Sequence, residues 1–106
     1  MGVKEDLERI EGLKTLVGQF PLTPGVYLMK NNDGKIIYVG KAKELRHRVR
    51  NYLQKGPHTA KTQVLVKNIF HIEYILTKTE AEAFLLEASL IKKHRPRYNI
   101  RLKDDK

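Results

Sequence analysis

The sequence contains no cysteine and no tryptophan, and its apolar runs are short. Without cysteine, disulfides and thiolate zinc sites are excluded, and a reducing compartment such as the cytoplasm is compatible with the chain. The apolar runs reach about four residues, whereas a membrane-spanning helix needs roughly 20. Because nothing resembles a signal peptide either, we expect a soluble cytoplasmic protein with no membrane association.

Acidic residues are scarce relative to basic ones: 12 Asp and Glu stand against 21 Lys and Arg, which gives a formal net charge of +9. Such an imbalance indicates a polyanionic partner, nucleic acid foremost, although a merely solvated basic surface has the same charge. At 106 residues the chain is long enough for one hydrophobic core and too short for two. We therefore expect one domain with nucleic acid as its leading partner.

Three short runs of β-branched and aromatic residues predict strands over 26–29, 36–39 and 72–77. The first two predict a hairpin, because Asn32-Asp33-Gly34 between them tolerates positive φ. In the third, Ile72, Tyr74 and Leu76 share one face. Helical periodicity predicts helices over 4–17, from near Lys41 to before Gly56, over 60–70 and over 79–94, and no further helix over 97–106. The pattern predicts a small α/β domain of the α+β kind, with a mainly antiparallel sheet of three strands flanked by helices.

Glu87 interrupts an apolar stretch of the last predicted helix. Its neighbours at helical spacing are apolar: Ala83, Phe84, Leu90 and Ile91. A carboxylate in such surroundings is costly unless it is paired, either with a divalent cation or with a basic side chain such as Arg48 or Lys41. A single carboxylate favours Mg²⁺ or Mn²⁺ completed by water and substrate phosphate. Glu82 has a simpler explanation, because it fits a capping box with Thr79.

Lys41, Arg48 and Tyr52 are spaced seven and four residues apart. If helical geometry begins near Lys41, the three side chains stack along one edge of a basic helix. A cation held there could stabilise charge on a phosphoryl oxygen, and the arginine fork is well suited to it. Alternatively, Arg48 and its basic neighbours form a solvated basic face.

The segments Gly25-Val26-Tyr27 and Tyr38-Val39-Gly40 resemble the paired signature of the GIY-YIG nucleases, and Lys41-Ala42-Lys43 is similar to the UvrC branch of that family. Valine replaces isoleucine in both signatures, and Ser89 stands where the family pattern has asparagine. The resemblance implies that 25–100 is a catalytic core. The core would follow a helix and connector over 1–24 and precede a linker that starts over 101–106 of a longer chain.

This resemblance also implies a function, namely a metal-dependent endonuclease that hydrolyses a DNA phosphodiester with one Mg²⁺ or Mn²⁺ ion. It implies the 3′ incision of bacterial nucleotide excision repair, within the DNA-damage (SOS) response. The partners would be lesion-bearing double-stranded DNA and UvrB, with UvrA indirectly, and we expect a monomeric domain. A junction or homing nuclease of the same family and a non-catalytic nucleic-acid-binding module remain alternatives.

The family pattern assigns roles to individual residues. Glu87 matches the metal-binding glutamate and Arg48 the catalytic arginine, while Tyr38, or else Tyr27, would accept a proton from the attacking water. Asn99 matches an asparagine at the rim of the site, where an amide could orient a tyrosine or backbone groups. Further catalytic candidates are Lys41 and Tyr52. Basic residues expected to contact the DNA backbone are Lys43, Arg46, Arg50 and Lys55.

Overall fold

The computed structural model describes residues 2–54, 56 and 58–103. In chain order the elements are α1 (Val3–Val17), β1 (Gly25–Lys30), β2 (Ile36–Ala42), α2 (Leu45–Leu53), α3 (Ala60–Lys67), β3 (His71–Leu76), α4 (Glu80–His94) and α5 (Arg97–Lys103). The strands form an antiparallel sheet flanked by helices, which confirms the predicted fold class. Within the described ranges, no helix is both long and apolar enough to cross a membrane.

β1 is the central strand, with β2 on one side and β3 on the other. The β1–β2 hairpin turns at Gly34, which has φ of +81° and donates its N–H to the carbonyl of Asn31. The Asn31 side chain accepts two further backbone N–H groups of the turn, those of Asp33 and Lys35. Only a glycine adopts this φ readily, so the predicted hairpin is held by local turn chemistry. A register shift follows between Met29 and Lys30.

The two faces of the sheet bury separate apolar layers, because successive side chains of a strand point to opposite faces. Tyr27 and Met29 of β1 join a core with buried residues of α1 and α2. Val26 and Leu28 of β1 face the other way and pack with Ala83 of α4. The central strand therefore has helices on both sides, and its residues over 25–29 are all buried.

The boundary between β2 and α2 differs from the predicted one. Helical geometry begins at Leu45, whereas β2 continues through Lys41 to Ala42, which lies opposite Gly25. Pairing with β1 satisfies the backbone of these residues and outweighs their helix propensity. The predicted shared face of β3 is confirmed, because Ile72, Tyr74 and Leu76 lie opposite Met29, Tyr27 and Gly25 of β1. Only Ile72 is buried, whereas Tyr74 and Leu76 are exposed in this edge strand.

The predicted helices over 4–17 and 79–94 are confirmed as α1 and α4, but α3 ends at Lys67 and α5 was not expected. The Thr79 hydroxyl accepts the N–H of Glu82 at the start of α4. The Glu82 carboxylate, however, accepts the N–H of Lys78. The predicted capping box is therefore present in one of its two halves.

Candidate active site

The strand register brings the two sequence signatures face to face. Tyr27 of β1 lies directly opposite Gly40 of β2. A Cβ atom at position 40 would overlap the phenol ring and hydroxyl of Tyr27, and one at Gly25 would overlap Leu45 and the carbonyl of Ile75. Gly25 and Gly40 are thus both required by close approach, and Gly40 makes room for the ring of Tyr27.

Three phenols form what we call the tyrosine cluster: Tyr27, Tyr38 and Tyr52. Their ring centroids lie 5.8 to 6.3 Å apart. The hydroxyls of Tyr27 and Tyr52 are hydrogen-bonded at 2.9 Å. Arg48 lies one helical turn before Tyr52 on α2, and its guanidinium carbon is 5.6 Å from the centre of that ring. The structure therefore brings the predicted tyrosines and Arg48 together.

Tyr27 and Tyr38 hold their phenol protons tightly. Burial raises the pKa of Tyr27 and of Tyr38 well above the ordinary value, and the neighbouring phenol of Tyr52 raises both further. The positive charge of Arg48 lowers both pKa values in part, whereas the carboxylate of Glu87 adds to the rise at Tyr38. At neutral pH both phenols are consequently uncharged hydrogen-bond donors.

A cleft of about 680 Å³, here called the α4 cleft, opens beside the tyrosine cluster. Its polar lining consists of Tyr38, Glu87, Lys92, Arg95 and Asn99, and apolar side chains from α4 and α5 complete it. Tyr38 belongs to both the cluster and the cleft because β2 is an edge strand. The cleft therefore exposes one phenol, one carboxylate and two cations to the same volume.

Glu87 is half-buried in this cleft, so its predicted apolar enclosure is wrong. Phe84, expected to shield it, is 56% exposed because no other described element covers that side of α4. Among the described residues Glu87 forms no ion pair with Arg48 or Lys41. The described chain also holds no cluster of three or more His, Cys, Asp or Glu side chains. A lone carboxylate beside a hydroxyl and an amide suits Mg²⁺, which keeps most of its water ligands.

Asn99 of α5 pairs with the outer edge of β2. Its Oδ1 accepts the N–H of Val39 and its Nδ2 donates to the carbonyl of the same residue, both at 2.8 Å. Those two backbone groups point away from β1, because Val39 and Leu28 form a non-hydrogen-bonded pair. The amide therefore substitutes for a further strand and fixes the segment next to Tyr38.

Lys41 lies apart from the other predicted cations. Since it is in a strand, its side chain shares the face of Val39, opposite to the face of Tyr38 and Gly40. Its Nζ atom is 6.0 Å from the centre of the Phe84 ring on α4. The prediction that Lys41 belongs to this stack is therefore wrong, whereas Arg48 and Tyr52 do lie together on α2.

The other basic residues lie in different surroundings. Arg46 donates from Nε to the carbonyl of Phe20 at 2.7 Å and so anchors the connector before β1. Lys43 lines a small depression next to α4, Arg50 is exposed on α2, and Lys55 lies outside the described residues. Sequence reasoning missed Lys92 and Arg95, whose position at the end of a helix resembles ordinary dipole stabilisation.

Comparison with known proteins identifies close relatives. The model of the UvrC-like GIY-YIG domain matches residues 23–100. "UvrABC system protein C" of Bdellovibrio bacteriovorus is 64% identical over 99 residues, which are 92% of this chain and 16% of that protein. The protein of the same name from Caldicellulosiruptor saccharolyticus is 54% identical over 94 residues, 89% of this chain and 16% of the relative. The chain thus spans 16% of the length of these two curated relatives.

Among solved structures, the chain is similar to the GIY-YIG N-terminal endonuclease domain of UvrC from Thermotoga maritima. That domain was crystallised with its catalytic divalent cation, magnesium. The two agree with a TM-score of 0.74 at 44% sequence identity, over 83% of this chain and 96% of the other.

Proposed function

Because the chain belongs to the UvrC-like GIY-YIG family, we propose that it is a divalent-metal-dependent DNA endonuclease domain. Its reaction would be the 3′ incision of nucleotide excision repair in the bacterial cytoplasm. The observation that carries the proposal is the α4 cleft, where the carboxylate of Glu87, which has no ion-pair partner in the described part of the chain, lies beside the phenol of Tyr38. A carboxylate free to bind a cation next to a half-buried phenol is an arrangement suited to hydrolysis of a phosphodiester.

In this proposal Glu87 holds one Mg²⁺ or Mn²⁺ ion. A divalent cation bound there supplies positive charge beside a phosphate oxygen and offsets the repulsion between Glu87 and an ionised Tyr38. Asn99 holds the strand that carries Tyr38, and so positions the phenol without contacting the substrate. Of the two candidate bases, Tyr38 is favoured because it lines the cleft, whereas Tyr27 is 1% exposed.

The chemical step would be a hydrolysis. For Tyr38 to act as the base, its phenol would first lose a proton to solvent, which Arg48 and a cation held by Glu87 would favour. The oxygen of water would then bond to phosphorus and its proton would pass to the Tyr38 phenolate. The bond between phosphorus and the departing sugar oxygen would break, and that oxygen would take a proton from solvent. Arg48 stays cationic throughout and keeps positive charge beside the tyrosine cluster, which lowers the pKa of both phenols. Tyr27 and Tyr52, hydrogen-bonded to each other, would position Tyr38 and Arg48 by packing.

The substrate in this proposal is lesion-bearing double-stranded DNA, which UvrB presents after damage recognition with UvrA. The net charge of +9 supports a polyanionic substrate. Exposed Lys43 and Arg50 would contact the DNA backbone, whereas Arg46 is engaged with Phe20 and would contribute less. Lesion specificity would come from the partners.

Glu87→Gln in a full-length UvrC protein carrying this domain tests the proposal, because it removes the charge and keeps the size of the side chain. We expect 3′ incision of a lesion-bearing duplex with UvrB and Mg²⁺ to fall about 100- to 1,000-fold, since metal stabilisation of a transition state is worth several kcal/mol. Incision at the 5′ side of a pre-nicked substrate controls for folding. Retention of the 3′ cut would contradict the proposal and favour a non-catalytic DNA-binding module.

A further inference from the structure

One wall of the α4 cleft carries two cations that the proposed reaction does not use. Lys92 and Arg95 line the cleft together with Glu87 and Tyr38. Among the described residues, neither cation forms an ion pair or a side-chain hydrogen bond. Two such cations facing a groove are available to an anionic ligand.

Helical geometry sets the distance of these cations from Glu87. Lys92 follows Glu87 by five residues and Arg95 follows it by eight, so they lie about 7.5 and 12 Å further along the helix axis. Phosphates of one duplex strand advance by about 3.4 Å per nucleotide along the duplex axis and lie further apart along the strand itself. A strand lying along α4 therefore brings phosphates within a few nucleotides of one bound next to Glu87 to the two cations.

The backbone fixes Arg95 at the mouth of the cleft. Its φ of 45° and ψ of 57° are left-handed, and its N–H is bonded to the carbonyl of Ile91 at 2.8 Å. Glycine is the common residue in this position after a helix, because a Cβ atom raises the energy there. Buried Pro96 follows and α5 then begins. The Arg95 side chain therefore begins at a left-handed backbone position that glycine would adopt at lower energy.

Stabilisation of the helix dipole gives a simpler reason for cations in the last turn of α4. Lys93 and His94 lie in that same turn and would serve the dipole equally. Neither of them lines the cleft, whereas Lys92 and Arg95 both do. The helix dipole therefore accounts for positive charge at the end of α4, but it does not explain why Lys92 and Arg95 face the cleft.

We propose that Lys92 and Arg95 bind backbone phosphates on one side of the scissile phosphate, so that the cleaved DNA strand runs along α4 from Glu87 toward the C-terminus of the helix. The position of the scissile phosphate rests on the proposed function, whereas the contact between these cations and DNA does not. Because phosphates carry no sequence information, the contacts would position the strand without selecting its bases.

Binding of the chain to a fluorescent DNA duplex at several salt concentrations tests the contact itself. Lys92→Gln and Arg95→Gln should each reduce the slope of log affinity against log salt by about 0.9, as loss of one phosphate contact does. Lys93→Gln is the matched control, since it removes the same charge from the same turn outside the cleft. Lys92→Arg should restore the slope, and thermal melting checks that each variant is folded. Equal slopes for Lys92→Gln and Lys93→Gln would overturn the proposal, as would absence of DNA binding by the unmodified chain.

Single uncharged methylphosphonates, placed one at a time near the 3′ cut, test the strand direction in the full-length incision assay. Those within a few nucleotides of the cut, on one side only, should slow the unmodified enzyme and have less effect on Lys92→Gln. Normal incision at every position would overturn the strand path and leave the nuclease proposal intact. Conversely, a chain that shows the expected salt slopes but never cuts would retain the DNA contact and refute the nuclease.

Discussion

The tyrosine cluster and the α4 cleft share Tyr38 yet are built in opposite ways. In the cluster, phenols pack against one another, and the hydroxyls of Tyr27 and Tyr52 bond together. In the cleft, Glu87 has no protein partner among the described residues, and the adjacent ring of Phe84 is exposed. The difference indicates that folding completes one half of the site and leaves the charges of the other half to a ligand.

The largest effect should come from a substitution at Gly40, which lies against Tyr27 of the tyrosine cluster. Gly40→Ala inserts a methyl group where the ring of Tyr27 lies, and we expect the free energy of unfolding to fall by about 3 kcal/mol, at the upper end for overpacking. Urea denaturation measures it. Gly12→Ala is the control, because a Cβ added at this exposed position of α1 would meet no described atom within 4 Å beyond the adjacent helix backbone, and it should stabilise the chain by about 0.5–1 kcal/mol. An unchanged midpoint for Gly40→Ala would contradict the close packing described here.

A smaller effect should follow from removing the Asn99 amide, which is hydrogen-bonded to the strand that carries Tyr38. Asn99→Ala removes two hydrogen bonds to Val39, and we expect a loss of about 1–2 kcal/mol and faster hydrogen exchange at the Val39 amide. Asn32→Ala in the exposed hairpin turn should stay within about 0.5 kcal/mol of the parent. If exchange at Val39 is unaltered, the amide does not hold this strand edge.

At neutral pH the smallest effect should come from the phenol protons of Tyr27 and Tyr38, which matter only in alkali. Because the folded pKa of Tyr27 and of Tyr38 is raised, the unfolded chain loses these protons first once the pH exceeds about 10. The free energy of unfolding should then fall with rising pH, by up to about 1.4 kcal/mol per pH unit for each phenol, and should be insensitive to them below pH 9. Denaturation between pH 8 and about 11 measures this slope. A Tyr38→Phe variant should show a shallower fall, and an identical fall would refute the assignment.

Local pattern was sufficient for α1, α4 and the hairpin, since periodicity and turn residues lie within a few positions of each other. The end of β2 was not predictable in this way. Lys41 and Ala42 favour a helix by composition, and only pairing with Val26 and Gly25 keeps them extended. Pro96 correctly predicted the end of α4 at His94, but α5 starts immediately after this proline and was not predicted.

The site, too, was predictable only in part. The signature tyrosines, Arg48 and Glu87 could be named from the sequence by family resemblance, and the roles given to them remain proposals. The surroundings of Glu87 could not be predicted, because apolar residues such as Phe84 can be either covered or exposed on a helix. The cleft-facing position of Lys92 depends on how α4 lies against β2, which no spacing along the chain encodes.

The irregular pairing between Met29 and Lys30 separates the tip of the hairpin from the paired signatures. In the paired part of the hairpin, Tyr27 lies opposite Gly40 and Tyr38 lies opposite Met29. This pairing sets the positions of the two tyrosines, and the number of residues between them does not. A change at the tip of the hairpin should therefore not move Tyr27 and Tyr38. We expect that a peptide inserted at the tip leaves the spacing of the two phenols unchanged.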